Sequence, residues 1–299
     1  MEQIVHPSGA YCALVTPMND DESVNLDELQ RQVERQMAAG MGGLFLLGTN
    51  GEFCALSCDE KQMVMQSVMA AVRRRVPVVI NVGDVSSRET RRLAHKAVDA
   101  GADFVAMITP WFIRCSQAQL ARHYRVLADD LPVPVVMYNI PARTGNRLEP
   151  CTIEELADHP NIVALKDSSG DPEHLRRCAD AVGNREDFSL LVGTDSLILA
   201  GLEMGCAGAV SGLANVVPEW CAGLYGAYGR QAMDEAEKLQ NSICELRGIF
   251  EFGDGPAMTK LALAQLFPGV GHSREPAKIH ERGVIRQVHA VLRSLSLLR

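Results

Sequence analysis

The chain has 299 residues, a formal charge of −8, 47% apolar residues and 22% charged ones, which excludes a peptide module, a disordered segment and a disulfide-stapled miniprotein. Its acidic balance, with no long run of Lys or Arg, argues against a sequence-independent nucleic-acid groove, which needs phosphate-neutralising positive charge. The length is compatible with one large domain plus an appendage or with two medium domains.

No stretch reaches the ~18 uninterrupted apolar residues of a membrane span. Met1 to Pro7 carries neither the basic nor the apolar region of a secretory signal. A cytoplasmic protein without membrane or nucleic-acid partners is expected. The nine cysteines (12, 54, 58, 115, 151, 178, 206, 221 and 244) form no CxxC pair. They are expected to be small core residues in a reducing compartment. The eight histidines form no HExxH or HxH, so the sequence gives no local support for a metal site.

In chain order, short apolar runs of the kind buried on both faces occupy Tyr11 to Thr16, Leu44 to Leu47, Val78 to Val82 and Phe104 to Thr109. Four more lie at Val133 to Tyr138, Ile162 to Leu165, Ser189 to Val192 and Ala209 to Ser211. Helix-start signals fill the gaps. Asn25-x-x-Glu28, Ser57-x-x-Glu60, Ser86-x-x-Glu89, Ser116-x-x-Gln119 and Thr152-x-x-Glu155 read as capping boxes or close variants, and Asp171-Pro172 puts proline at a first helical position. Gly40, Gly101, Gly183 and Gly205 end helices. Arg73-Arg74-Arg75, the densest basic patch, sits where a helix ends and complements its dipole.

Eight strand-helix units in about 225 residues predict an α/β fold of the (β/α)8 TIM-barrel type. A doubly wound sheet is the rival, but neither GxGxxG nor GxxxxGK[ST] is present. Beyond Gly229 only helical pattern remains, with Leu239, Ile243, Leu246 and Phe250 on one face and Ile285, Val288, Leu292 and Leu295 forming a later seam. The expected division is a barrel over 1–228 and a C-terminal helical region over 229–299 that packs on it.

A barrel builds its site from the residues just past the carboxyl ends of its strands. One lysine stands there. Lys166 comes directly after the apolar run Ile162-Val-Ala-Leu165, and desolvation would free its amine to attack a carbonyl. Tyr138 ends the fifth strand, one unit earlier, where a phenol can relay protons. Gly48-Thr49-Asn50-Gly51-Glu52 offers tight backbone and a hydroxyl for a carboxylate. Arg143, after strand five, could clamp a second carboxylate. Asp195 occupies the loop after strand seven, where barrels often hold phosphate, and so favours an unphosphorylated substrate. Ser211 ends the last strand.

The ordered set Gly48-Thr49-Asn50-Gly51-Glu52, Tyr138-Asn139-Ile140-Pro141-Ala142-Arg143-Thr144-Gly145, Lys166-Asp167-Ser168-Ser169-Gly170-Asp171 and Gly208-Ala209-Val210-Ser211 closely resembles the dihydrodipicolinate synthase and N-acetylneuraminate lyase family. The resemblance implies a class I aldolase-type lyase acting on pyruvate or another 2-oxo acid. It implies a Schiff base on Lys166 with no further cofactor, a proton shuttle at Tyr138, and a relay and holding role for Thr49. Asn50 would face the keto-acid carboxylate and Arg143 the carboxylate of an aldehyde partner; Gly48, Asp195 and Ser211 are the remaining substrate-site candidates. A homo-oligomer, dimer or tetramer, is implied as well.

Two departures bear on the activity. Asn50 replaces the more usual threonine, and the run through Phe53 looks like the 4-hydroxy-2-oxoglutarate aldolase branch. Trp111-Phe112 stands where many members carry paired tyrosines, one of which completes the relay in a neighbouring subunit. The leading expectation is therefore a Schiff-base-forming lyase of pyruvate or another 2-oxo acid, by aldol cleavage, condensation or dehydration, for example an aldolase for 4-hydroxy-2-oxoglutarate or a 2-keto-3-deoxy sugar acid. Alternatives are a 4-hydroxy-tetrahydrodipicolinate synthase and a non-catalytic keto-acid-binding paralogue.

Overall fold

The computed structural model describes residues 6–183 and 185–298. The amino-terminal reading rests mainly on residues 1–5, which lie outside that range. Eight parallel strands succeed one another in chain order around a closed barrel. They are β1 (Gly9–Ala13), β2 (Gly43–Leu46), β3 (Val78–Asn81), β4 (Phe104–Ile108), β5 (Val135–Asn139), β6 (Ile162–Asp167), β7 (Ser189–Val192) and β8 (Gly208–Ser211). Every residue of these strands is buried, which is why continuous apolar runs rather than alternation mark them.

The α-helices among the described residues are α1 (Leu26–Ala38), α2 (Cys58–Val72), α3 (Ser87–Ala100), α4 (Gln117–Ala128), α5 (Pro141–Thr144) and α6 (Pro150–Ala157). They continue with α7 (Pro172–Val182), α8 (Ile198–Glu203), α9 (Pro218–Gly229), α10 (Met233–Arg247), α11 (Gly255–Leu266) and α12 (Arg282–Ser294). The chain is thus a (β/α)8 barrel with a C-terminal helical region. No described helix is long and apolar enough to cross a membrane.

The predicted caps divide by what the side chain three residues on does. Ser57 and Ser116 form reciprocal boxes with Glu60 and Gln119. Asn25 and Ser86 accept from the Glu28 and Glu89 N–H groups, but those carboxylates turn to Arg31 and Arg92 instead. Thr152 is not a cap. Pro150 starts α6 two residues earlier, with Glu149 before it, and the Thr152 hydroxyl donates to Gln117 Oε1 at 2.7 Å.

The basic triplet is structural: Arg73 and Arg74 take left-handed backbone at the end of α2, and Arg75 grips both Glu34 carboxylate oxygens. The cysteines depart in part from expectation. Cys12, Cys178, Cys206 and Cys221 are buried, but Cys54, Cys151 and Cys244 are exposed, because they fall on outward positions of helical turns.

The described chain forms two compact units, one of Pro77–Val210 with the residues up to Gly9, the other of Ala10–Val76 with the residues from Ser211 onward. In the second, Asn215 bonds the Val15 N–H and the Ala13 carbonyl at 3.0 and 2.7 Å. Arg35 of α1 donates to the Asn215 and Val216 carbonyls and lies over the Phe267 ring at 4.6 Å. On α12, Val288 and Leu292 are fully buried.

Candidate active site

In the unit Pro77–Val210, parallel pairing sets Tyr138 of β5 directly beside Lys166 of β6. Lys166 lies inside the strand, immediately past the apolar run that announced it, because a charged residue ends such a run without ending the hydrogen-bonded ladder. Its ammonium nitrogen is 4.0 Å from the Tyr138 ring centroid. The two residues are 3% and 2% exposed. Burial pulls the Lys166 pKa down to about 7, with the Asp195 carboxylate opposing that shift. A large share of the amine is therefore neutral near pH 7, the form that carries a nucleophilic lone pair.

The next residues on these strands keep that pair in place. Asn139 Nδ2 donates to Asp167 Oδ1 at 2.7 Å, and the Leu148 N–H donates to Asn139 Oδ1 at 3.0 Å. Asp167 Oδ2 accepts the Ser169 hydroxyl at 2.6 Å. His174 of α7 lies against both, 3.2 Å from Asn139 Nδ2 and 3.6 Å from Asp167 Oδ1. Burial lowers the His174 pKa, with Asp167 opposing. Successive strand residues point to opposite faces, so fastening Asn139 and Asp167 on one face orients Tyr138 and Lys166 on the other.

The loop carrying Trp111 and Phe112 is tied to the loop carrying Arg143. Asn146 Nδ2 donates to the Pro110 and Ile113 carbonyls, both at 2.7 Å, and Asn146 Oδ1 accepts from the Cys115 N–H at 2.9 Å. Thr109 and Thr144 hydroxyls meet at 2.8 Å. Phe112 is 95% exposed with φ of 70°. Arg143 lies on the exposed side of the short helix α5. Asp195 opens the turn after β7 and is buried. Asn146 was missed by the sequence reading; an asparagine just after a helix-ending glycine is too common a loop residue to single out.

In the other unit, the loop after β2 is a tight turn. The Gly51 N–H donates to the Gly48 carbonyl at 3.0 Å and the Glu52 N–H to the Thr49 carbonyl at 3.1 Å, while the Thr16 hydroxyl donates to the Gly51 carbonyl at 2.8 Å. A Cβ on Gly51 would lie 3.1 Å from the Leu14 carbonyl and 3.2 Å from the Leu47 backbone, so only glycine fits without displacement. Leu47 and Glu52 flank the turn with φ of 52° and 54°, a conformation that costs a non-glycine residue on the order of 1–3 kcal/mol. Thr49 and Asn50 are partly exposed. Among the described residues no protein acceptor takes the Asn50 N–H. The Asn50 amide packs on Gly212, where a Cβ would sit 2.7 Å from its nitrogen. Ser211 is buried, and its hydroxyl accepts the Ala214 N–H at 2.9 Å and lies 3.3 Å from Cys221 Sγ.

Glu52 belongs to the Gly48 motif without an expected role there, and Lys260 was overlooked. They form a buried ion pair, Nζ to Oε1 at 2.7 Å. The signal was a lone charge inside the apolar run Ala257-Met-Thr-Lys260-Leu-Ala-Leu263. No group of three or more His, Cys, Asp or Glu among the described residues is placed to hold a metal.

Known proteins are similar to this chain in sequence and fold. An uncharacterized DapA-like lyase of Halobacterium salinarum is 36% identical over 270 residues, covering 90% of this chain and 88% of that protein. The 4-hydroxy-tetrahydrodipicolinate synthase of Acidiphilium cryptum is 34% identical over 290 residues, covering 97% and 99%. Among solved structures, YagE, a prophage protein of the dihydrodipicolinic acid synthase family from E. coli K12 in complex with pyruvate, superposes with a TM-score of 0.93 at 29% identity, covering 97% of this chain and 99% of that one. Residues 6–295 match the Dihydrodipicolinate synthetase family; the chain belongs to that family and is a lyase of the Schiff-base, class I aldolase type.

Proposed function

We propose that the chain is a 2-oxo-acid lyase in which Lys166 forms the Schiff base. The observation that carries this reading is a buried amine with a pKa of about 7 set against a buried tyrosine ring at 4.0 Å. The neutral Lys166 amine attacks the keto carbon of pyruvate or a related acid. Tyr138 delivers a proton to the carbinolamine hydroxyl, which leaves as water, and the iminium that forms is an electron sink for cleavage or formation of the adjacent carbon–carbon bond. The hydroxyl of Thr49 takes part in the proton relay, and the backbone of Asn50 in the Gly48 loop holds the carboxylate. Asp195 and Ser211 border the distal part of the substrate, and Arg143 meets a second anionic group. No external cofactor enters this scheme. The helices of 229–299 support the barrel rather than supply chemistry.

For the substrate we favour a 4-hydroxy-2-oxo acid or 2-keto-3-deoxy sugar acid. Phe112 lacks the phenol of a relay contributed between subunits, and the buried Asp195 suits hydroxyl groups and opposes phosphate. The name of the Acidiphilium cryptum relative supports the alternative, a 4-hydroxy-tetrahydrodipicolinate synthase. Incubation with pyruvate and borohydride, then mass measurement, tests the Schiff base: the wild type gains the reduced adduct and Lys166→Ala does not. An unlabelled wild type refutes the scheme. Turnover assays with 4-hydroxy-2-oxoglutarate, 2-keto-3-deoxy sugar acids, and pyruvate with aspartate semialdehyde then separate the substrates. No turnover on any of them, with pyruvate still bound, identifies a non-catalytic paralogue.

A further inference from the structure

The loop Gly48–Glu52 holds its shape against a backbone preference, since Leu47 and Glu52 both sit in the left-handed region. Such a conformation persists only where surrounding groups fix it. For Glu52 those groups come from far along the chain. Lys260 of α11, 1% exposed, donates to Oε1 at 2.7 Å, and the Arg274 N–H donates to Oε2 at 3.1 Å. Arg274 is anchored in turn on the Glu22 carbonyl, the Ala55 carbonyl and the Glu60 carboxylate. Ala55 and Glu60 come shortly after Glu52, in the turn Phe53–Ala55 and at the start of α2. Both carboxylate oxygens of Glu52 are thus committed to the C-terminal region, and neither is turned to a substrate.

We propose that Lys260 is a positioning residue for 2-oxo-acid binding, acting through Glu52 to set the backbone of Thr49 and Asn50. This rests on the reading that the Thr49–Asn50 segment holds the substrate carboxylate. The Lys260 ammonium is paired with Glu52 rather than with either residue, and it contributes by fixing the end of their turn. A small displacement of a positioning group far from the chemistry costs binding and rate out of proportion to its size.

The test measures the pyruvate concentration that half-saturates borohydride trapping on the intact chain, and the trapping rate at saturation. It compares wild type, Lys260→Met, Glu52→Gln and the Glu52→Gln/Lys260→Met double variant. The expected result is a rise of about tenfold in half-saturating pyruvate for each single variant, with the double variant about equal to the worse single one. The pH midpoint of trapping at saturating pyruvate stays at the wild-type value, because Lys166 is untouched. Each single variant strands one buried charge; should either fail to fold, the double variant removes both charges together and carries the test.

Half-saturation within about twofold of wild type in a folded Lys260→Met or double variant overturns the inference, as do losses that multiply between the two sites. A double variant unable to fold also overturns it, since the pair is then purely structural. Failure of the underlying scheme has a separate signature: wild type itself takes no label, or Lys166→Ala takes as much.

Discussion

The Asn139 amide donates to Asp167 Oδ1 at 2.7 Å, bridging the two strands at the residues immediately after Tyr138 and Lys166. This bond lies on the opposite face from the reactive pair and fixes its register. Asn139→Ala removes it together with the bond from the Leu148 N–H. The expected cost is about 2–3 kcal/mol of stability, from two buried hydrogen bonds lost and partners left unpaired. Denaturant unfolding monitors that loss, and slower pyruvate trapping at saturation should accompany it.

Lys166 gives the protein a signed pH dependence. Its folded pKa of about 7 lies below the unfolded value, so between about pH 7 and 10 the unfolded chain binds the extra proton and stability rises with pH. Below that window the burial of a charged ammonium costs its full amount. Lys166→Met should therefore stabilise the fold by a few kcal/mol at pH 6, with the gain shrinking as pH rises toward 10. Unfolding midpoints of the two proteins at pH 6 and pH 9.5 provide the comparison.

Trapping with pyruvate should track the same group, rising with pH through about 7. Asp195 favours the protonated amine, so Asp195→Asn should move the trapping midpoint to lower pH by about half a unit to one unit. A midpoint moved upward would show that Asp195 does not act on Lys166 through its charge.

Tyr138→Phe keeps the ring beside Lys166 and removes the phenol. Folding and the Lys166 midpoint should persist while imine formation slows by about 10²- to 10³-fold, the scale of a lost proton-transfer group. Trapping kinetics at saturating pyruvate measure it, and a loss below about tenfold would remove Tyr138 from the relay.

Phe112 occupies left-handed backbone with its side chain 95% exposed. Replacement by glycine relieves the backbone and removes no buried surface within the chain, so Phe112→Gly should stabilise by about 1 kcal/mol. Destabilisation in an unfolding titration would mean that the ring is covered by another protomer.

The barrel was legible because its strands are buried on both faces and so appear as apolar runs; all eight appear where the runs predicted. Their ends were less so. β1 begins at Gly9 and stops at Ala13, although the apolar pattern runs on through Val15, because burial outlasts the ladder there. β6 extends through Lys166 and Asp167, polar residues that composition would place in a loop. Lys166 and Tyr138 were legible as single residues at strand ends, and their adjacency came from the register of consecutive strands. Lys260 was not, because its partner lies 208 residues away and no local pattern couples a lysine in α11 to a turn after β2.

That separation has a consequence for biogenesis. Residues 10–76 share their compact unit with the residues from 211 onward, so the first quarter of the chain leaves the ribosome long before most of its partners exist. Asn25, Arg35 and Glu52 wait for Gly269, Asn215 and Lys260. A nascent chain halted at residue 228 has every barrel strand but lacks Lys260 and Arg274, and would leave Glu52 buried as a carboxylate without its cation. On the proposed reading of the Gly48 loop, competence to hold a keto acid should then arrive only once Lys260 and Arg274 have been made.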